Sequence, residues 1–241
     1  MPGLYKDEGV VLKTIKLGEA DRIVTLFTRG NGKVRAVAKG VRKTKSRFGG
    51  RLEPFSHVNL LLYQGRSSLD TITQVELISS FRELRSDYPR LTCAAALADA
   101  VEKITPERER AYPVYSLLLA GLHALASFGE SSVVPAFLVK LLSVSGYHPQ
   151  LSVCASCGDR GALRFFSPAM GGVICDGCRT HERAALHLPA DRVALLARLH
   201  SADFGEPADP EAVAELVRAL RHYAEYHLER PLRSFELLGS A

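Results

Sequence analysis

The stretch DRIVTLFTRGNGKVRAVAKGVRKTKSRFGGR, residues 21–51, decides how the amino-terminal part of this chain folds. Residues 21–29 are a strand candidate. Residues 33–39 alternate apolar with cationic side chains, which is typical of a half-buried strand. Between them, Asn31 and Gly32 tolerate the positive φ angles of a tight turn. The two segments are therefore predicted to pair as an antiparallel hairpin.

Three more strand candidates lie near this hairpin, at residues 8–16, 55–63 and 68–78. Five strands within about 80 residues, separated by short turns, are typical of a small closed or nearly closed barrel. An OB-fold over residues 1–80 is the natural candidate, because its sheet face and loops take single-stranded nucleic acid. An SH3-like barrel has strands of similar number and length and remains an alternative.

Residues 30–51 also carry an unopposed positive charge, with eight cations and no acidic residue. The eight are Lys33, Arg35, Lys39, Arg42, Lys43, Lys45, Arg47 and Arg51. The charge is local, since residues 1–80 hold 14 Lys and Arg against 7 Asp and Glu, whereas residues 81–241 hold 17 against 19. Cations spaced along a strand and a glycine-punctuated loop indicate contact with nucleic-acid phosphates, and Phe48 is predicted to offer a ring for a base. The alternative is a solvated surface.

Beyond residue 80 the apolar pattern becomes helical. Stripes at spacings of three and four predict helices across residues 91–104, 117–125 and 134–142, and two more after residue 189. Asp209 followed by Pro210 predicts the start of the last helix. These helices are expected to form one bundle from residues 81–149 and 186–241. The uncharged run at 111–129 is interpreted as a buried helix rather than a membrane span, because a span needs about twenty mostly apolar residues.

Four cysteines form two C-x-x-C pairs, Cys154 with Cys157 and Cys175 with Cys178, at the spacing of a zinc site. The spacing favours zinc over redox-active or unmetallated thiols. Four thiolates leave no open coordination position, so one structural zinc is expected, holding a module at residues 150–185. Residues 163–166 and 171–174 are predicted to form a hairpin between the pairs. The fifth cysteine, Cys93, lies in a helical stripe and is expected in the core.

No catalytic constellation is found. The phosphate-loop, nucleophile-elbow and H-E-x-x-H motifs are missing. The eight histidines have no cysteine or carboxylate at a spacing that is typical of a catalytic site. The chain is therefore expected not to be an enzyme. The predicted fold class is α+β with several domains: an OB-fold barrel, then a helical bundle with an inserted four-cysteine zinc module.

Taken together, these residues resemble those of the bacterial DNA repair protein RecO family. The segments that carry the resemblance are GEADRIV (18–24), LFT (26–28), GK (32–33), AKGVRK (38–43), SR (46–47), the two cysteine pairs, FSP (166–168), GG (171–172) and RPLRS (230–234), together with Leu52, Pro54 and Phe55. The resemblance extends over nearly the whole chain. It rests on the combination, since no single segment is specific.

The resemblance implies a recombination mediator that has no catalytic turnover of its own. Such a protein binds single- and double-stranded DNA, anneals complementary strands, contacts single-stranded DNA-binding protein and RecR, and helps to place RecA on covered strands. The amino-terminal residues lack the apolar run of a signal peptide and the cysteine pairs fit a reducing cytosol, so we expect a cytoplasmic, nucleoid-associated location and no membrane contact. A zinc-ribbon RNA-binding or transcription factor with an OB-like barrel is the alternative.

Should the DNA site lie elsewhere, the second choice is a group of arginines near the cysteines: Arg160, Arg164, Arg179 and Arg183. In the helical domain, Lys140 could border a groove for a partner's tail.

Overall fold

The computed structural model describes residues 3–46, 48–129, 132–205 and 207–238. Five strands at the amino terminus close into a barrel in the order β1-β2-β3-β5-β4. They are β1 (Gly3–Leu17), β2 (Asp21–Thr28), β3 (Gly32–Ala38), β4 (His57–Gln64) and β5 (Asp70–Ser79). The pairing of β3 with β5 is parallel and the other pairings are antiparallel. This is the arrangement of an OB-fold, and the predicted fold class is confirmed.

The β2–β3 hairpin forms where the sequence predicts it. Thr28 pairs with Gly32 at the closed end, and pairing continues to Arg22 with Ala38. Gly32 has a φ of 62°, and a Cβ atom there would lie 1.8 Å from the carbonyl oxygen of Glu109. Both the backbone conformation and the close approach of the following segment therefore require glycine.

The barrel interior is filled by alternate residues of its strands. Val24, Leu26, Ala36 and Ala38 are fully buried there, together with residues of β1, β4 and β5. The long connection between β3 and β4 includes a 3-10 turn, Gly49–Leu52. Its Leu52 joins the same interior cluster. The connection therefore contributes to the core of the barrel.

Seven helices follow in the described residues: α1 (Arg82–Ser86), α2 (Tyr88–Ile104), α3 (Tyr112–Phe128), α4 (Val133–Val144), α5 (Asp176–Arg179), α6 (Ala190–Ser201) and α7 (Pro210–Leu228). A final 3-10 turn spans Arg233–Leu237. Asp209 caps α7 as predicted, since its carboxylate accepts a hydrogen bond from the backbone N–H of Ala212. Across the part of the chain described, no helix has the length and apolar character needed to cross a membrane.

The barrel and the helices share one apolar core. Val10, Leu12, Phe27 and Phe55 of the barrel belong to the same buried cluster as α2, α3, α4, α6 and α7. Since Val11 points into the barrel interior, this part of β1 is buried on both faces. The barrel therefore has one face packed on the helices and another that is exposed.

The cysteine segment forms a small sheet in the order β7-β6-β8, with β6 (Leu163–Ser167), β7 (Gly172–Cys175) and β8 (Leu186–His187). The first two strands are the predicted hairpin. The third extends the sheet two residues beyond the predicted boundary at residue 185. Phe166 and Val173 pack into the large helical core, whereas Cys154, Ile174 and Ala185 form a separate small cluster. The helical bundle therefore supports one face of this sheet.

Candidate nucleic-acid interface and metal centre

The cations after strand β3 lie on the surface of the barrel. Lys39, Arg42, Lys43 and Lys45 are exposed, and so is Arg51 at the end of the connection to β4. Arg35, on β3 itself, is half-buried. Of the seven predicted cations that the structure describes, six are thus accessible to solvent in whole or in part.

Hydrogen bonds place the start of the basic connection against the β1–β2 turn. The backbone N–H of Arg42 donates to the carbonyl oxygen of Ala20 over 3.0 Å, and its guanidinium donates to that of Glu19 over 2.8 Å. Asp21 accepts a hydrogen bond from the backbone N–H of Gly40. The basic residues therefore continue the outer surface of β3 along the rim of the barrel.

Five of these cations have no carboxylate partner among the residues that the structure describes. Within the described ranges, Arg35, Lys39, Arg42, Lys43 and Lys45 form no ion pair with a carboxylate. The carboxylate of Glu53 pairs instead with Arg22, at 3.2 Å. The surface therefore carries uncompensated positive charge, which attracts polyanions.

The position of Lys33 contradicts the prediction that this residue contacts nucleic-acid phosphates. Its side chain lies on the outer face of β3, where the helical part of the protein covers it, and it is only 7% exposed. Its Nζ atom donates to the carbonyl oxygens of Glu102 and Thr105, each over 2.6 Å, at the carboxyl end of α2. Burial lowers the pKa of Lys33, while nearby Glu102 and Glu107 oppose that shift. Lys33 is a helix cap that joins the barrel to the bundle, not a phosphate ligand.

Phe48 is the second correction. Its ring is 1% exposed and packs inside the barrel, so the prediction that a base stacks on it is wrong. Alternation cannot reveal this, because Phe48 lies in an irregular connection. Arg47, its neighbour and a predicted DNA contact, lies outside the described residues.

The second-choice surface near the cysteines is partly engaged within the protein. Arg164 pairs with Asp176 at 3.5 Å. Arg179 lies 5.4 Å from the ring centre of Phe165 and donates to the carbonyl oxygen of Glu182. Arg160 and Arg183 are exposed. Fewer free cations are therefore available here than on the barrel.

The side chain of Lys140 is engaged within the protein. Its Nζ atom donates to the carbonyl oxygens of His200 and Ala202, over 2.6 and 2.7 Å, at the carboxyl end of α6. Burial lowers the pKa of Lys140. Like Lys33, this lysine caps a helix, and its role is structural.

One polar cluster could not be found from the sequence. His57 Nε2 lies 2.8 Å from the Glu8 carboxylate and 2.9 Å from the Tyr115 hydroxyl, which itself donates to Glu8. Burial lowers the pKa of His57, although Glu8 acts against this shift. These residues are 49 and more positions apart, so spacing gave no signal. They join β1 and β4 to α3.

The four predicted metal ligands are brought together. The sulfur atoms of Cys154, Cys157, Cys175 and Cys178 all lie within 4.8 Å of one another, and those of Cys157 and Cys175 are 3.8 Å apart. A tetrahedral zinc site with Zn–S bonds of about 2.3 Å places its sulfurs about 3.8 Å apart. The cysteines are not joined by disulfides. The cluster therefore fits a metal ion of this type.

Backbone hydrogen bonds favour a thiolate at Cys154. Burial raises the pKa of Cys154, but backbone N–H donors outweigh it and lower that pKa to about 6. One of these donors is Cys175, at 3.4 Å. The N–H of Asp159 lowers the pKa of Cys157, but the neighbouring thiols outweigh it and raise the pKa to about 12. Several thiolates can coexist at this spacing only with a cation between them.

Comparison with known proteins decides the family. A family model described as Recombination protein O N terminal matches residues 1–81, and one described as Recombination protein O C terminal matches residues 85–236. The chain belongs to the RecO family of DNA repair proteins. It is 46% identical over 242 residues to the DNA repair protein RecO of Nocardioides sp. (strain ATCC BAA-499 / JS614), covering 96% of this chain and 97% of that protein.

Two further RecO proteins match over a similar length. That of Frankia casuarinae is 46% identical over 244 residues, covering 99% of each chain. That of Bifidobacterium adolescentis is 44% identical over 246 residues, covering 98% of this chain and 99% of that protein. Membership of the RecO family favours DNA repair over the RNA-binding or transcription-factor alternative.

Proposed function

We propose that this chain is a recombination mediator that binds single- and double-stranded DNA through the cations of its barrel. The observation that carries the proposal is the exposed set Lys39, Arg42, Lys43 and Lys45, which has no carboxylate partner among the described residues. Arg35 and Arg51 extend this surface, and Arg47 belongs to the same proposal by its position in the sequence. A polyanion supplies the missing counter-charge.

Annealing follows from how such a surface binds. Cations that neutralise phosphates do not read base edges, so binding is independent of sequence. Two strands held on the same surface repel each other less, and their bases remain free to pair. The protein then accelerates annealing by screening charge, without a covalent step.

We also propose partners. RecR, single-stranded DNA-binding protein and RecA are proposed because the chain belongs to the RecO family, whose members act on DNA during repair. In this scheme the chain, together with RecR, helps to load RecA on strands that single-stranded DNA-binding protein covers. The site of action would be the cytoplasmic nucleoid, where that DNA lies.

For the cysteine cluster we propose one structural Zn²⁺, held by Cys154, Cys157, Cys175 and Cys178. The sulfur spacing and the backbone donors to Cys154 support this assignment. Four thiolates fill the coordination sphere, so the ion would fix the fold of residues 150–185 rather than bind substrate. Residues 1–80 would act as the nucleic-acid-binding domain, with residues 81–149 and 186–241 as the helical domain.

The test is a strand-annealing assay with a charge-matched control. The variant Lys39→Glu/Arg42→Glu/Lys43→Glu should lose acceleration of annealing, both on bare complementary strands and on strands coated with single-stranded DNA-binding protein. Arg82→Glu/Arg218→Glu/Arg233→Glu reverses three exposed cations of the helical part. Because each reversal removes two units of charge, both variants take the formal net charge from +5 to −1.

Two results would contradict the proposal. If both variants lose annealing equally, net charge is responsible and the barrel surface has no special role. If the barrel variant anneals like the unmodified protein, the DNA site lies elsewhere.

A further inference from the structure

The barrel has one aromatic ring that is open to solvent among its described residues. Its aromatic side chains are Tyr5, Phe27, Phe48, Phe55 and Tyr63. The three phenylalanines are at most 3% exposed. The Tyr5 hydroxyl donates to Asp70, and its ring packs against the barrel interior. Tyr63, near the end of β4, is 44% exposed. If a base stacks on an aromatic ring of this barrel, Tyr63 is that ring.

Strand register places Tyr63 on the same outer surface as the basic strand β3. Tyr63 pairs with Thr71 of β5, and Thr71 pairs in turn with Val37 of β3. Because neighbouring strands are 4.7–4.9 Å apart, Tyr63 and Val37 are separated by about 10 Å along the surface. Along β3, Val37 lies between Arg35 and Lys39. The ring is therefore two strands from the predicted phosphate contacts.

This outer row is mostly apolar and continues around the barrel. Its members, one from each pairing, are Leu4, Tyr63, Thr71, Val37, Ile23 and Ile15. Leu4 is 63% exposed and Ile15 is 50% exposed. Their neighbours along the strands, such as Leu62 and Ile72, point inward and are fully buried. The row thus places an exposed aromatic ring on the same surface as cations, the combination with which proteins bind single-stranded nucleic acid.

The turn after Tyr63 leaves its ring open. A Cβ atom at Gly65 would lie 3.7 Å from Tyr63 Cε1, so the glycine leaves that edge of the ring uncovered. Arg66, the next residue, is exposed and forms no ion pair within the described ranges. The loop between the fourth and fifth strands is one of those with which OB-folds bind oligonucleotides. Arg66 therefore supplies an exposed cation in the turn that directly follows Tyr63.

We propose that Tyr63 is the base-stacking residue of this barrel, with Arg66 holding the adjacent phosphate of a single strand. The inference rests on the proposed function and assigns a residue to it. Stacking on tyrosine tolerates any base, because every base has a π face. One stacked base would position the strand on the barrel while the neighbouring bases stay free to pair. In the sequence, the only indication of this site is an aromatic residue just before the turn Gln64-Gly65-Arg66.

Salt dependence separates stacking from phosphate contact. We would measure the affinity for a fluorescent oligothymidylate by anisotropy from low to high salt. Tyr63→Leu should weaken binding at least fivefold at every salt concentration, with an unchanged log–log slope, because stacking contributes about 1–3 kcal/mol per base and releases no counterions. Tyr63→Phe, which keeps the ring, should bind like the unmodified protein. Photo-crosslinking to an oligonucleotide containing 4-thiothymidine should label the peptide that contains Tyr63.

The outcomes are distinguishable from failure of the proposed function. If reversal of Lys39, Arg42 and Lys43 abolishes binding but Tyr63→Leu does not weaken it, the barrel binds DNA and the stacking assignment is wrong. Equal loss in Tyr63→Leu and Tyr63→Phe would assign the effect to the hydroxyl and also overturn stacking. If Tyr63→Leu keeps full DNA affinity but loses a protein partner, the exposed pair Leu4 and Tyr63 is a protein interface instead. Circular dichroism melting would verify that the variants are folded.

Discussion

A cation on β3 can bind a phosphate or can cap a helix, and replacing Lys33 with methionine distinguishes these two roles. Methionine is close in volume and apolar, so it fills the same space beneath the helices. It cannot donate to the carbonyl oxygens of Glu102 and Thr105. The substitution therefore leaves two carbonyl groups at the end of α2 without their donor, at a site where Lys33 itself is 7% exposed.

The expected loss follows from these contacts. Each buried acceptor left without a partner costs about 1–3 kcal/mol. The cost of burying an ammonium group, seen in the lowered pKa of Lys33, partly offsets the stabilisation that this side chain provides. We expect Lys33→Met to lower the free energy of unfolding by about 2–4 kcal/mol, which in a chain of this size lowers Tm by roughly 4–16 °C. Affinity for single-stranded DNA should not change once folding is allowed for.

Lys39→Met is the matched control, because Lys39 follows the same strand but is exposed. It should change the free energy of unfolding by less than about 0.5 kcal/mol. It should also reduce the magnitude of the salt slope of DNA binding by about 0.7, the value for one phosphate contact. Urea unfolding and anisotropy titrations at several salt concentrations measure both quantities. The reasoning is refuted if Lys33→Met retains full stability and reduces the salt slope instead.

Three further predictions concern stability. Gly32→Ala should lower the free energy of unfolding by about 2–4 kcal/mol, because the φ of Gly32 is 62° and a Cβ atom there would clash with Glu109. A melting curve like that of the unmodified protein would exclude this close approach. Stability should fall as pH drops below 6.5, the ordinary pKa of His57, because burial lowers the pKa of His57 in the folded state and the unfolded chain takes up its proton first. Stability should fall further below pH 4.5, the ordinary pKa of Glu8. In the folded state, hydrogen bonds from Tyr115 and His57 outweigh burial and keep the pKa of Glu8 low. In urea titrations from pH 7 to 4, His57→Gln should lose the first decrease and reduce the second, because Glu8 keeps its hydrogen bond from Tyr115 but loses the imidazole; an unchanged profile would disprove the assignment. Chelation or Cys175→Ser should increase amide hydrogen exchange in residues 150–185 and spare the barrel, whereas a metal-free protein with full protection would rule out structural zinc.

The sequence was most informative where local chemistry alone determines structure. Alternation on β3 and the Asn31-Gly32 turn determine the hairpin, because the strand period and the positive φ at Gly32 depend on few neighbours. The cysteine pairs behave in the same way, since two knuckles joined by a hairpin bring four sulfurs together wherever the module packs. The strand β1 was predicted too short. Its first residues expose Leu4 as well as Lys6, so they lack the alternation of a half-buried strand, and they are held mainly by pairing with β4.

Sequence reasoning failed where tertiary packing decides which surface is covered. Lys33 and Arg35 occupy equivalent outward positions of β3, yet the segment after α2 covers only Lys33, whose carbonyl accepts from the N–H of Arg108. Phe48 is drawn into the barrel by the 3-10 turn that follows it. The Glu8–His57–Tyr115 cluster joins distant segments. None of these contacts can be derived from the spacing of residues along the chain.

The central claim is that the exposed cations of the barrel bind phosphates, and the salt dependence of single-strand affinity tests it most directly. Four or five contacts predict a log–log slope of about −3, and reversal of Lys39, Arg42 and Lys43 should bring the slope about 2 units closer to zero. A slope near zero for the unmodified protein, or the same slope in both proteins, would contradict the claim.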